Sequence, residues 1–174
     1  MNRDDARRAL REATVAAFDE TIETLTGERV YAVALTTDDG AMSAGLCITT
    51  VEHYESKRSQ ADAAGDLASP GYDAYLRWDT AEWRDELAGW EHFSPISRLL
   101  EDSSDDTDGW FEEHIDALIA ALAHLRAERA EALAGVTLFV SVTDSDETEA
   151  IENRSARELN PPELSGRFLS RYET

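Results

Sequence analysis

Apolar positions in the first third of the chain follow two different periods. Val15, Phe18, Ile22 and Leu25 recur at spacings of three and four, with Leu10 and Ala17 near the same stripe. That period predicts a helix over 4–26, stopped by Gly27. The period then changes. "RVYAVALT" (29–36) is a continuous apolar run, suited to a strand buried on both faces, and "TDDG" (37–40) is a turn signal. "AMSAGLCITT" (41–50) alternates, with Met42, Ala44, Leu46 and Ile48 on one side and Ser43, Gly45, Cys47 and Thr49 on the other. The two segments together predict an antiparallel hairpin.

Residues 51–65 are polar and partly helical in pattern, and "GDLASPG" (65–71) is a loop. "DAYLRW" (73–78) has the length and ring content of a third strand. Asp79 and Glu82 have capping-box spacing, which predicts a helix from about Thr80 in which Trp83, Leu87 and Trp90, at i, i+4 and i+7, share one face. Ser94 before Pro95 marks another helix start. After an acidic loop at 101–109, Phe111, Ile115, Leu118, Leu122 and Leu125 form the stripe of a long helix over 110–133, ended by Gly135. "VTLFVSVT" (136–143) is a strand, Asp144 and Glu147 repeat the capping-box spacing before a short helix, and 162–172 closes the chain as a helix after "NPP". No internal repeat, linker or composition break divides residues 1–174. The expected architecture is a single α+β domain with a mostly antiparallel sheet covered by helices, the hairpin 29–50 and the strand 136–143 forming its centre.

Composition narrows the function classes. The chain has 174 residues, 42% hydrophobic and 30% charged, enough for a core without staples. No apolar run is long enough for a membrane span, and the N-terminus lacks a signal-type apolar stretch. A single cysteine, Cys47, sits in the apolar second strand and reads as a buried inert thiol in a reduced, cytoplasmic compartment. Sixteen basic against 37 acidic residues leave a net charge of −21, and Lys57 is the only lysine. That balance disfavours nucleic acid and anionic membranes, which are bound through clustered Lys and Arg. It allows a basic protein partner, steered in by the field, and it is equally what solubility or salt adaptation would produce.

Catalytic signatures are missing. There is no phosphate loop and no dinucleotide fingerprint. Ser43 in "AMSAG" is one residue from a nucleophile elbow, but it opens a strand where the elbow needs a strand before and a helix after. His53, His92, His114 and His124 show no metal-ligand spacing. "TDSDETEAIE" (143–152) is the best place for a divalent cation, with Asp144 and Asp146 as candidate ligands, yet it lacks the glycine and spaced glutamate of a calcium loop and reads first as a helix start with acids near its dipole. No catalytic residue and no cofactor is assigned. "EDSSDDTDGWFEEHID" (101–116) holds no Lys or Arg. It is a solvated loop and helix start in the plain reading, and an acidic clamp with an aromatic anchor in the functional one. The partner-binding candidates are therefore Asp105, Asp106, Asp108, Trp110, Glu112 and Glu113, with Trp90. Trp78 and Trp83 are expected in the core, and Trp90 and Tyr72 stay open between core and interface.

"VYAVALTTDDG", "YLRWDTAEW", "VTLFVSVTDSDETE" and "SARELNPPE" occur in that order. In this arrangement the chain resembles the bacterial domain-of-unknown-function 4303 family, which pairs an early hairpin with a W-x-x-x-E-W segment and late S-D-x-D and L-N-P signatures. The matching positions are Trp78, Glu82 and Trp83, then Asp144 and Asp146, then Leu159, Asn160 and Pro161, with Thr143 standing where the family pattern has serine. The resemblance spans about Val30 to Phe168 and implies no established activity. Small acidic bacterial proteins of this kind often serve as immunity proteins, an analogy at the level of class. Three expectations result: a cytoplasmic acidic binding protein of immunity type that neutralises a basic partner; a metal-assisted hydrolase using the acids of 144–152; and an acidic domain with no specific partner.

Overall fold

The computed structural model describes residues 3–103 and 109–173. In chain order the elements are α1 (Arg3–Thr24), β1 (Val30–Asp38), β2 (Gly45–Thr50), α2 (Val51–Ala64), α3 (Tyr72–Trp78), β3 (Asp85–Ala88), α4 (Trp90–Ser103), α5 (Trp110–Glu128), β4 (Thr137–Thr143), α6 (Thr148–Leu159) and α7 (Pro162–Leu169), with single 3₁₀ turns at Asp66–Ala68 and Thr80–Glu82. The strands form one sheet in the order β3-β2-β1-β4. β1 pairs antiparallel with β2, and β2 antiparallel with β3, while β1 pairs parallel with β4. The α+β architecture holds, and the sheet is mixed: mostly antiparallel, with one parallel pair.

Strand alternation divides the core in two. Val33 and Leu35 of β1, Leu46 and Ile48 of β2, and Leu138, Val140 and Val142 of β4 face a layer made by α1, α4 and α5. Ala32, Ala34, Cys47 and Phe139 face the opposite layer, where α2, α3 and α7 supply Tyr54, Trp78 and Phe168. β1 is therefore buried on both sides, as its continuous apolar run predicts. No described helix is long and apolar enough to cross a membrane.

Five expectations need correction. Residues 73–78 are helix α3, not a strand: the Tyr75 N–H donates to the Gly71 carbonyl and the Asp79 N–H to the Tyr75 carbonyl, both at 2.9 Å and four residues back, although the burial of Leu76 and Trp78 alternates as a strand's would. The segment after Thr80 is a 3₁₀ turn followed by β3, and Trp83, Leu87 and Trp90 share no helix face. The capping-box spacings do not build boxes. Asp79 accepts from the Ala81 N–H at 3.0 Å, but the Glu82 carboxylate goes to Lys57 Nζ (2.8 Å) and Tyr75 OH (2.7 Å). The N-cap of α6 is Glu147, with no side-chain cap. Pro95 lies inside α4, whose start is Trp90. Finally, β4 is an edge strand, so the centre of the sheet is the hairpin alone.

Candidate functional site

The two edges of the sheet are treated differently. β4 leaves its outward backbone groups to α6, which answers them with side chains. Val140 N donates to Ser155 Oγ (2.9 Å), and Thr148 Oγ1 donates to the Val142 carbonyl (2.7 Å). Leu138 is gripped from both sides: its N–H donates to Asn160 Oδ1 (2.8 Å) and its carbonyl accepts from Asn160 Nδ2 (2.6 Å). That edge is closed to further pairing.

The β3 edge has no such cover among the described residues. Cys47 Sγ–H donates to the Glu86 carbonyl at 2.9 Å, and burial pushes the Cys47 thiol up to about 12, in keeping with an inert thiol. On its outer side the strand presents Leu87, 66% exposed, and the corner after it presents Trp90, 59% exposed, more than any other large hydrophobic described. The corner is rigid. Gly89 has φ +58°, and a Cβ there would lie 2.5 Å from Ala17 Cβ and 2.7 Å from Ala17 Cα, so only glycine lets α1 pack so close. His92 Nε2 meets Glu20 at 2.7 Å on the same corner. Arg84 is occupied by Glu28 (2.9 Å) and Asp85 (2.7 Å). Glu86 and Glu91 are exposed beside the two apolar side chains, with no ion pair among the described residues.

The acidic block divides. Asp105, Asp106 and Asp108 lie outside the described residues. Trp110 opens α5 and packs half-buried against the core layer, its ring stacked on His114 with centroids 6.5 Å apart. Its indole N–H is buried and has no acceptor among the described residues. Trp110, Glu113 and His114 line a small cavity of about 60 Å³ whose walls include Leu10, Ile96 and Leu100. His114 Nε2 lies 3.1 Å from the Ser43 carbonyl, and burial holds its pKa below the ordinary histidine value. Glu112 is exposed and shares Arg154 with Asp116 and Glu158, one guanidinium for three carboxylates. Trp90 and Trp110 open different helices, and Trp90 is the more exposed of the two.

Asp144 and Asp146 are both exposed. Asp144 adopts φ +60°, the left-handed region, at the exit of β4. It borders a cleft of about 440 Å³ whose floor holds a network that the sequence does not announce. Glu152 accepts from Ser141 Oγ (2.7 Å) and from Arg171 Nη2 (2.9 Å), with side chains 14% exposed for Glu152 and 1% for Arg171. Burial raises the Glu152 pKa against the opposing pull of Ser141 and Arg171. Ser141, Glu152 and Arg171 come from β4, α6 and the segment after α7, and no local spacing marks them. Among the described residues no group of three or more His, Cys, Asp or Glu is placed to hold a metal ion.

The family of the domain of unknown function DUF4303 matches residues 10–161, which include the W-x-x-x-E-W and L-N-P stretches. The chain belongs to the DUF4303 family. No curated protein and no solved structure matches it. In this DUF4303 protein the stretches that carry the family resemblance are mostly scaffold. Trp78 stands edge-on to Tyr31 and Phe168, with centroids 5.9 and 5.1 Å away, and Trp83 edge-on to Phe139 at 5.5 Å. Asn160 straps the edge of β4. Asp144 stands apart, exposed at the mouth of the cleft.

Proposed function

We propose that this DUF4303 protein is a non-catalytic binding protein that captures a basic protein partner on its open β3 edge and the acidic surface around it, acting as an immunity protein acts on a toxin. The observation that carries the reading is the pair Leu87 and Trp90, both exposed on edge strand β3 and the corner after it, while the opposite edge is strapped shut. An open edge offers backbone hydrogen bonds to an incoming segment, and tryptophan is the residue type most enriched among side chains that dominate binding. Glu86 and Glu91 frame the pair, and the net charge of −21 disfavours a second copy of the same chain as occupant. A cationic protein is attracted by the same field.

The test is capture of the partner by tagged protein at low and high salt, followed by reconstitution of the purified pair. Leu87→Ser with Trp90→Ala is expected to weaken the purified complex by about 2 kcal/mol or more, roughly 30-fold. Charge reversal at Asp105, Asp106 and Asp108 is expected to slow association and flatten its salt dependence. A complex indifferent to all of these changes would remove the assignment.

A further inference from the structure

Trp78 separates two clefts with opposite linings. One is the acidic cleft beside Asp144. The other, about 420 Å³, lies between the end of α3, the start of β4 and α7. Its walls include Arg77, Arg167, Tyr31, Trp78 and Ser170, and no Asp or Glu lines it, in a chain with 37 of them.

Arg77 is held there in an unusual state. Its guanidinium carbon lies 5.4 Å from the Tyr31 ring centre, 5.0 Å from that of Tyr54 and 5.6 Å from that of Trp78. No carboxylate pairs with it among the described residues, whereas Arg29, Arg58, Arg84, Arg129, Arg154 and Arg171 each have one. The backbone beneath it is fixed as well. The Arg77 carbonyl accepts from Tyr31 OH at 2.7 Å and from Trp83 Nε1 at 3.1 Å, so two aromatic donors hold one peptide group. A charge fixed in advance by rings and backbone loses little freedom when it binds, which is what a preorganised anion site needs. Across the cleft α7 contributes Arg167, exposed and without an ion-pair partner among the described residues. Two guanidinium groups with no carboxylate partner among the described residues are suited to a phosphate or carboxylate, and the aromatic wall to a flat ring attached to it.

We infer that this cleft is a binding site for a small organic anion, a phosphate or carboxylate carried on a planar ring, gripped by Arg77 and Arg167 with the ring against Tyr31 and Trp78. The inference is independent of the protein partner proposed above, since no residue of β3 or of the corner after it lines the cleft. A single anion is compatible with the net charge in a way that a polyanion is not, because it needs two fixed guanidiniums and not a basic surface.

Calorimetric titration of the whole protein with adenosine monophosphate, benzoate and inorganic phosphate, at low salt, tests it. Saturable binding of adenosine monophosphate or benzoate is expected, with inorganic phosphate at least 10-fold weaker because it lacks the ring. Arg167→Glu, at an exposed position, is expected to fold normally and to lose at least 10-fold in affinity. Arg77→Lys keeps a cation over the rings, covers the case in which a larger change there unfolds the chain, and is expected to lose less than Arg167→Glu. No heat with any of the three probes overturns the inference. Binding that both variants leave unchanged also overturns it, since the anion would then sit elsewhere.

Discussion

Asn160→Ala removes a clamp whose energetic weight can be read from its partners. Asn160 satisfies both backbone groups of Leu138, at 2.8 and 2.6 Å, and donates to the Ala156 carbonyl at 2.8 Å. Arg126 Nη2 donates to the same Oδ1 at 2.8 Å, bracing it toward α5. Leu138 is fully buried, so its N–H and C=O lose their partners in the variant. A buried group left unpaired costs about 1–3 kcal/mol, and because Asn160 is itself half-buried, water can reach part of the gap. The expected loss is therefore about 2–4 kcal/mol, a fall in Tm of about 5–15 °C for a chain of this size. Urea denaturation would read it as a lower midpoint at unchanged slope, and hydrogen exchange as lost protection of the Leu138 amide. Asn160→Asp keeps the acceptor for the Leu138 N–H and for Arg126 but loses the donor, and should cost about half as much. An Asn160→Ala variant within about 0.5 kcal/mol of the parent would refute the reasoning, because it would mean that water serves this edge as well as the side chain does.

Gly89→Ala adds a Cβ 2.5 Å from that of Ala17 at φ +58°, combining left-handed strain with overpacking, and should cost about 2–5 kcal/mol in denaturant titrations; Gly27→Ala, at φ +82° with nothing within 4 Å, carries the strain alone and should cost about 1–2 kcal/mol. His114 is held below its ordinary pKa mainly by burial, so the unfolded chain binds its proton at a higher pH than the folded one, and the stability it contributes is present above about pH 6.5 and lost as pH falls through the folded value. His114→Gln should flatten that part of the stability–pH curve, and an unchanged curve would show that another group sets it.

Much of the architecture was legible because it is periodic. The α1 stripe, the α5 stripe and the uninterrupted apolar runs of β1 and β4 all face the core, with Val15, Ile22 and Phe111 only partly buried. Reading failed between Tyr72 and Trp90, where helix and strand exchange places. Trp83, Leu87 and Trp90 fit a helical face by spacing, yet Trp83 enters the core beside Phe139 while Leu87 and Trp90 face outward. β3 is short and exists through its pairing with β2, Leu46 with Ala88 and Ile48 with Asp85, a contact no local window contains. The edge position of β4 was hidden for a related reason, since its burial comes from α6 and not from a second neighbouring strand. Of the predicted binding residues, Trp90 stands exposed, Glu112 is tied to Arg154, and Trp110 leans into the core. The Ser141–Glu152–Arg171 network and the Arg77 cleft have no sequence signature, because each is assembled from elements far apart in the chain.

The parallel pairing of β1 with β4 sets a schedule for the growing polypeptide. Ala32 must wait for Thr137, and Leu138 must wait again for Asn160. At a synthesis rate of roughly 5–20 residues per second, the hairpin emerges about 5–20 s before the strand that completes it. Throughout that interval one side of β1 is an unfilled hydrogen-bonding template, and the last strand is safe only once its strap has left the ribosome. A chain interrupted shortly before Asn160 would contain every strand of the sheet and still lack the side chain that closes the backbone groups of Leu138.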